Sequence, residues 1–355
     1  MVGEKFALGH DLSGFEFSVG GHHFERQNMR RSYLIWLLVI SFPCFFVARP
    51  GYAQPSADAV AGDSDGQISD EAEYRSAVRR SIFSKGRRQA GLTTDEQSYV
   101  KENCVFGSPK AETSAGLGQI DIVAREGYVV GHSSFDKIPL WVAEHSTAAE
   151  VGGSIPRNNR FAPDPKLASH PRAELSDYKH SGFDRGHMAP AGNQTVTQAL
   201  KDETFFLSNM VPQIGPTFNQ GIWAELETTV REWTKSRSET WIITGGMFYD
   251  PLEEDENTAD GIIPYDAIGQ NEVAVPTHTY KIVLAKNSNN EWESIAFVFA
   301  NKRYAKPYRL HLYITSIRWL EQRTGLNFFP NIVSETGDAA LEDRLELTRS
   351  QMWSN

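Results

Sequence analysis

Two short segments of the chain decide its fold: FDRGHMAP at residues 183–190 and NQGIWAELE at residues 219–227. In the first, His187 follows Arg185 and Gly186, in a stretch too short and too interrupted by glycine to be a helix. An imidazole here can act as a general base, and the guanidinium beside it suits a phosphate oxygen. Gly186 is expected to let the backbone turn sharply. The alternative interpretation is a core histidine next to a surface arginine.

The second segment opens a predicted amphipathic helix. Its apolar residues recur at helical spacing and form one stripe: Ile222, Trp223, Leu226, Val230 and Trp233. Asn219 stands where a helix favours an asparagine cap, and Glu227 follows about two turns later and about 80° round the axis. We therefore expect both side chains to reach toward one side of the helix. The alternative is a capping Asn219 and an exposed Glu227 that pairs with Arg231.

Together these segments resemble the DRGH signature and the catalytic helix of the DNA/RNA non-specific endonucleases, the endonuclease G-like family that also includes secreted bacterial nucleases. Further segments resemble the family in the same order along the chain: 128–130, 139–142, 178–183, 205–213 and 324–329. The resemblance covers roughly residues 105–332. It implies an α+β protein with the ββα-metal (His-Me finger) nuclease fold, in which helices flank a central, mainly antiparallel sheet.

By motif position, the resemblance implies a role for each polar residue of the two segments. His187 matches the general base that activates a water, and Arg185 matches a residue that binds phosphate and stabilises the transition state. Asn219 matches the one direct protein ligand of a divalent ion, usually Mg²⁺, for which Mn²⁺ can substitute. Glu227 matches the acidic residue that holds the water shell of this ion.

Further positions follow from the same resemblance. Asp184 and Asn209 are expected to hold in place the residues that contact metal and substrate, without contacting either themselves. The family also has an upstream arginine, before an aromatic residue and an Asp-Pro pair. Arg157 and Arg160 both precede Phe161 in this chain. Arg160 is closer to the aromatic residue, and Arg157 is the alternative.

The implied function is a metal-dependent, sugar-non-specific endonuclease that hydrolyses DNA and RNA and leaves 5′-phosphate ends. Phosphodiester hydrolysis needs a base for the water and positive charge around the phosphate, but no contact with base edges, so low sequence specificity follows. Two alternatives stay open: a catalytically silent nucleic-acid-binding protein of the same fold, and a phosphodiesterase acting on a small substrate. The sequence also leaves open a homodimer and a cognate inhibitor or immunity protein.

The composition constrains function less than the motifs do. The chain has 355 residues, of which 40% are hydrophobic and 23% charged. These values exclude a fully disordered or collagen-like chain. The formal net charge of −10 argues against nucleic-acid binding through bulk charge. Much of the negative charge lies outside the motif segments, so it does not argue against cleavage.

The N-terminal region predicts export. Residues 32–48 form an uncharged apolar run that follows two arginines and precedes small residues, as in secretory signal peptides. We expect a signal peptide over 29–53, cleaved after Ala53, and a periplasmic or secreted protein with no stable membrane association. A retained membrane anchor is the alternative. Residues 1–28 contain acidic residues that fit poorly before a signal, so they are interpreted as a misassigned start.

The rest of the chain divides into three predicted parts: a flexible or weakly helical extension (54–103), the endonuclease domain (104–335) and a C-terminal tail (336–355). Within the domain, β-rich stretches predict strands at 127–132, 140–143, 241–246, 279–285 and 295–300. An amphipathic stretch predicts a helix over 314–323 that ends at Gly325. Cys104, the only cysteine after the signal, is expected to be buried and inert.

Overall fold

The computed structural model describes residues 91–112, 120–254 and 263–354. The predictions for the start, the signal peptide and residues 54–90 lie outside this described part. All the described residues fall in a single compact unit. No helix within them is long and apolar enough to cross a membrane.

A large antiparallel sheet is the centre of the domain. The strands, in chain order, are β1 Lys110–Ala111, β2 Ile120–Ala124, β3 Val129–Ser133, β4 Ile138–Thr147, β5 Asp184–His187, β6 Met210–Gln213, β7 Glu239–Met247, β8 Ala267–Ile268, β9 Val273–Ala274, β10 His278–Lys286, β11 Trp292–Ala300, β12 Ile314–Thr315 and β13 Leu326–Asn327. Seven of them form the sheet, in the spatial order β12-β11-β10-β7-β4-β3-β2. All its neighbouring strands run antiparallel. The remaining pairs, β1–β13, β5–β6 and β8–β9, are short two-stranded ribbons.

Helices cover both faces of this sheet. They are α1 Thr94–Asn103, α2 Ala148–Gly152, α3 Leu175–Tyr178, α4 Gln198–Glu203, α5 Ala224–Arg237, α6 Ile317–Thr324, α7 Ile332–Thr336 and α8 Ala339–Glu346. Because successive strand side chains point to opposite faces, the sheet has a hydrophobic core on each side. On β4, Val142 belongs to one core and Trp141 to the other. The first core packs against α5 through Trp233, and the second against α6 and α8 through Leu320 and Leu345.

The predicted strands are confirmed, and the helix predicted over 314–323 is confirmed except at its start, because Ile314–Thr315 form β12 and the helix begins at Ile317. The structure lengthens several strands, and β4 continues to Thr147 because its second half, from Val142 on, pairs with β7. Gly325 ends α6 in the left-handed conformation, with a φ of 67°.

The thiol of Cys104 is buried, and burial raises its pKa to about 12, so it carries little of the reactive thiolate at neutral pH.

The folded domain extends beyond the predicted limits of 104–335 on both sides. Before residue 104, α1 packs on the sheet: Asn103 donates its side-chain amide to the carbonyl of Glu126 at 3.0 Å and accepts the His145 N–H at 2.9 Å. After residue 335, α8 buries Leu341 and Leu345 in the second core. These short helices show little amphipathic pattern of their own, so only their tertiary contacts make them part of the domain.

Candidate active site

A two-stranded ribbon outside the main sheet presents the first motif. Strand β5 pairs with β6 so that Asp184 lies opposite Gln213 and His187 opposite Met210. Gly186 is therefore part of an extended strand, and the prediction of a sharp turn there is wrong. A Cβ atom at Gly186 would overlap the side-chain amide of Gln213. Close approach of the partner strand is the reason that this position requires glycine.

Asn209 holds the backbone that follows His187. Its fully buried side chain accepts a hydrogen bond from the Ala189 N–H at 2.8 Å. The same side chain donates to the carbonyls of Ala189 and Thr204, at 2.9 Å each. The backbone carbonyl of Asn209 accepts the Met188 N–H at 3.0 Å. Asn209 therefore fixes the backbone next to His187, and its supporting role in the site stays a prediction.

The imidazole of His187 is 7% exposed and contacts two phenylalanine rings. Its ring centroid lies 5.1 Å from Phe205, edge to face, and 5.8 Å from Phe161. Burial and the nearby Arg157 guanidinium lower the pKa of His187 to about 3, so the ring is neutral at neutral pH. Within the described part of the protein, Nε2 of His187 has no hydrogen-bond partner. A neutral imidazole with a free nitrogen is what a general base requires.

Two arginines stack on the same pair of aromatic rings. The guanidinium of Arg185 lies 5.0 Å from the centroid of Phe161, and that of Arg157 lies 5.1 Å from the centroid of Phe205. The side chains of Arg157 and Arg160 are both exposed, but in the described part of the chain Arg160 makes neither contact. The geometry therefore favours Arg157 over Arg160 as the upstream arginine, although Arg160 is closer to Phe161 along the chain. The signal that sequence reasoning missed is the pair of phenylalanines, because Phe205 lies far from Phe161 in sequence.

Asn219 lies in an irregular, partly π-helical segment, Gly215–Trp223, immediately before α5. Non-helical backbone within this segment, including Gly221 with φ −126° and ψ −112°, separates Asn219 from the regular helix. The prediction that Asn219 caps the helix, with Glu227 two regular turns away, is therefore wrong. The segment instead positions Asn219 through a tertiary contact.

Asp184 provides that contact and joins the two motifs. Its Oδ2 accepts hydrogen bonds from Nδ2 of Asn219 at 2.8 Å and from Nε2 of Gln220 at 2.7 Å. A Cβ atom at Gly215 would lie 2.7 Å from the Asp184 carboxylate, so the segment passes close to it. Because the amide nitrogen of Asn219 is the donor, its Oδ1 points away from Asp184 and can serve as a ligand.

Glu227 lies half-buried on the first turn of α5. Burial raises the pKa of its carboxyl, and the positive charges of Lys281, Arg231 and Arg157 oppose this shift. The alternative of a surface ion pair with Arg231 is not formed in the described part of the chain, where Arg231 donates to the Thr228 hydroxyl at 2.9 Å. Glu227 thus keeps its carboxylate near the positive groups of the site.

Two buried charges lie on the sheet face that packs against α5. The side chains of Glu144 on β4 and Lys281 on β10 are each 1% exposed. Lys281 donates to the Thr244 hydroxyl at 2.6 Å, and Glu144 accepts from the Asn193 amide at 3.0 Å. Burial raises the pKa of Glu144 and lowers that of Lys281, and each charge opposes the shift of the other. Neither residue was predicted from the sequence. The feature that could have indicated them is a charged residue in the middle of an apolar strand, Glu144 in β4 and Lys281 in β10.

Comparison with known proteins identifies the family. The family model described as DNA/RNA non-specific endonuclease matches residues 108–335. The chain belongs to this family. It is therefore a nuclease, an enzyme that hydrolyses nucleic acids, and the family resemblance read from the two motifs is confirmed.

Named relatives and a solved structure agree with this assignment to the endonuclease family. Nuclease C1 of Cunninghamella echinulata var. echinulata is 37% identical over 239 residues, which cover 65% of this chain and 93% of the relative. Human mitochondrial nuclease EXOG is 36% identical over 260 residues (71% of this chain, 67% of the relative), and human mitochondrial endonuclease G is 34% identical over 223 residues (62% and 73%). The structure of an EndoG/EndoGI complex matches with a TM-score of 0.59 at 30% identity, covering 68% of this chain and 94% of that chain. The expected α+β fold is confirmed.

The residues of the site fit the divalent ion on which this endonuclease family depends. Among the residues that the structure describes, no group of three or more His, Cys, Asp or Glu side chains could hold a metal ion. The available donors are instead the amide oxygen of Asn219 and the carboxylate of Glu227. A small set of hard oxygen donors suits an ion that keeps most of its own waters.

Proposed function

We propose that this protein is an exported endonuclease that uses Mg²⁺ to hydrolyse phosphodiester bonds in DNA and RNA and leaves 5′-phosphate ends. The observation that carries the proposal is the 2.8 Å hydrogen bond from Asn219 to Asp184. It joins the ribbon that presents His187 to the segment that presents Asn219. This link between the two segments supports the proposal that the candidate base and the candidate metal ligand act in one site.

In the proposed reaction, Nε2 of His187 accepts a proton from a water whose oxygen attacks phosphorus. The bond from phosphorus to the 3′-oxygen breaks, the phosphate stays on the 5′ side, and the 3′-oxygen takes up a proton from solvent. Arg185 and Arg157 offset the negative charge that develops on the other phosphate oxygens. Asn219 would hold the Mg²⁺ ion and Glu227 would hold its waters; the bound ion would supply further positive charge to stabilise the leaving oxygen.

Low specificity follows from the kinds of groups present. The proposed reaction uses an imidazole, two guanidinium groups and an amide oxygen, which bind water, phosphate and metal. It requires no contact with a base edge or a sugar 2′-hydroxyl. Sequence is read from base edges, and DNA is distinguished from RNA at the 2′-hydroxyl. Cleavage of both nucleic acids is therefore the expected activity.

The test compares His187→Ala with His311→Ala, a matched change at an exposed histidine. His187→Ala should reduce cleavage of plasmid DNA and of RNA by about 10²- to 10⁴-fold, the usual contribution of a general base. His311→Ala should cleave like the wild type, and EDTA should stop cleavage by the wild type and by His311→Ala. If the wild-type protein with Mg²⁺ or Mn²⁺ degrades neither substrate, the proposal fails. Binding without turnover would then favour the silent binder, and hydrolysis of small diesters alone would favour the phosphodiesterase.

Product ends and export need separate measurements. Polynucleotide kinase should label the products only after phosphatase treatment, because the proposed reaction leaves 5′-phosphates; direct labelling would contradict this. Human nuclease EXOG and human endonuclease G are named as mitochondrial, so these relatives do not support export. The support comes from the N-terminal apolar run over 32–48. N-terminal sequencing of the native protein should give Gln54. A native protein that begins at Met1 would contradict both the signal peptide and the misassigned start.

A further inference from the structure

An exposed loop between β11 and β12, residues 302–309 with the sequence KRYAKPYR, concentrates positive charge in an acidic chain. We call it the basic loop. It contains no acidic residue. Its four cationic side chains are all exposed: Lys302, Arg303, Lys306 and Arg309. None of the four forms an ion pair with any residue that the structure describes, whereas many other cations of the domain do.

The basic loop is fixed to the domain by buried contacts. Tyr304 is 7% exposed and donates its hydroxyl to the Ala300 carbonyl at 2.8 Å. Its ring packs against Phe218 and Tyr313, with centroids 5.6 Å and 5.4 Å away. Just before the loop, Asn301 accepts the Ile214 N–H at 2.9 Å. The four cationic side chains therefore lie on a loop that buried contacts hold against the domain.

These anchors lie on the segment that carries the candidate metal ligand. The Tyr304 N–H donates to the Thr217 hydroxyl at 3.0 Å. The Tyr308 hydroxyl lies against Gly221, where a Cβ atom would overlap it. Thr217 and Gly221 are each two residues from Asn219, roughly 7 Å along the chain. The two tyrosines thus hold the basic loop beside Asn219 from both sides.

We propose that the basic loop binds the phosphate backbone of the nucleic-acid strand next to the bond that is cleaved. This inference rests on the proposed function and specifies a substrate contact of that same site. Four unpaired cations spread over eight residues match a row of phosphates, whereas one small phosphate would need converging groups. Lys306 and Lys302 also lie 5.6 Å and 5.9 Å from the rings of Tyr308 and Tyr304, which holds them in place.

The experiment compares two variants with the same change in charge. The loop variant replaces the four cations by glutamine: Lys302→Gln, Arg303→Gln, Lys306→Gln and Arg309→Gln. The control variant replaces four exposed cations elsewhere in the domain: Lys101→Gln, Lys110→Gln, Arg344→Gln and Arg349→Gln. Thermal unfolding should show that both variants fold, because all eight side chains are exposed.

Binding is measured first, in the His187→Ala background, by fluorescence anisotropy with a short DNA duplex over a range of salt. The loop variant should bind roughly tenfold or more weakly at low salt, and the slope of log K against log salt should fall by about 0.9 for each phosphate that the loop no longer neutralises. The control variant should keep most of its affinity and the wild-type slope. Equal reductions of affinity in the two variants, or an unchanged slope in the loop variant, would overturn the proposal.

Activity is measured next, with His187 present. The loop variant should show a KM for plasmid DNA raised roughly tenfold or more, and an unchanged rate on bis(p-nitrophenyl) phosphate, which is too small to reach the loop. A wild-type protein that cleaves nothing would refute the nuclease proposal, while the anisotropy measurement would still test the loop. If the loop variant kept its DNA affinity but no longer bound phosphatidylserine vesicles, a membrane surface would replace nucleic acid as the partner.

Discussion

Replacing Asn209 by alanine tests how much of the site depends on one buried amide. The change removes three side-chain hydrogen bonds, one from the Ala189 N–H and two to the carbonyls of Ala189 and Thr204. Asn209 is fully buried, so no water replaces these partners without a rearrangement. The variant is informative about both stability and catalysis, because Asn209 also fixes the backbone that directly follows His187.

The expected loss of stability follows from these hydrogen bonds. A hydrogen bond contributes about 1 kcal/mol net, so three bonds contribute about 3 kcal/mol. A buried N–H left without a partner adds a desolvation cost, which raises the total to about 4 kcal/mol. For a domain of this size, 1 kcal/mol shifts Tm by about 2–4 °C, so Asn209→Ala should lower Tm by about 10 °C. A displaced His187 should also lower kcat by roughly tenfold to a hundredfold below Tm.

Urea unfolding monitored by tryptophan fluorescence gives the stability, and plasmid cleavage well below Tm gives kcat. Asn289→Ala is the matched control, because Asn289 is exposed in the turn between β10 and β11. The control should change the free energy of unfolding by less than about 0.5 kcal/mol. A destabilisation below about 1 kcal/mol for Asn209→Ala, together with an unchanged kcat, would refute the view that this amide holds the site.

Three further outcomes follow from the structure. Arg157→Ala should reduce kcat/KM on DNA at least tenfold more than Arg160→Ala, because Arg157, unlike Arg160, stacks on a phenylalanine of the site; equal effects in steady-state assays would contradict this choice. Lys281→Met should leave Glu144 buried without its cation and so destabilise the fold by about 3 kcal/mol in urea unfolding. Adding Glu144→Gln to this variant should restore part of the lost stability. If the effects of the two substitutions simply add, the two charges are not coupled. Burial lowers the pKa of His132 to about 4, below its usual value of 6.5, so the unfolded chain takes up the proton first as pH falls. Stability is then full above pH 6.5 and declines toward pH 4, by about 1.4 kcal/mol per pH unit from this group; His132→Asn should show a shallower decline between pH 6.5 and 5 than the wild type.

Local patterns predicted the regular parts of the fold correctly. The β-rich stretches around residues 241–246 and 279–285 became β7 and β10, because runs of β-branched and aromatic residues fit a buried sheet. Gly325 ended a helix as its position predicted, because glycine adopts the left-handed conformation there without a steric cost. The helices α1 and α8 were not predicted as part of the domain, because their membership depends on contacts with distant strands.

The chemistry expected of the site came from the family resemblance of its two motifs, and that resemblance did not give the contacts between them. A DRGH segment followed by the 219–227 segment names the groups that the reaction needs. The sequence does not show that Asp184 binds Asn219, since 35 residues separate them. The sequence left Arg157 and Arg160 as alternatives, with Arg160 closer to Phe161, whereas the folded chain brings Arg157 to Phe205. Gly186 looked like a turn, but it lies in a strand, where the close Gln213 side chain leaves no room for a Cβ atom.

The sequence by itself determined the family, the two motifs and the alternation that builds the sheet, because these depend on residue identity and short-range spacing. Tertiary structure alone decided which arginine stacks on Phe205, which residue binds the Asn219 amide, and which two buried charges lie near each other. Glu144 and Lys281 come together because β4 and β10 both pair with β7, at Ile242 and Thr244 respectively. The basic loop acquires its place beside Asn219 in the same way, through Tyr304 and Tyr308. Contacts across such sequence distances form only once distant strands have paired, and the local pattern that sets the register of a pair does not show which distant strands will pair.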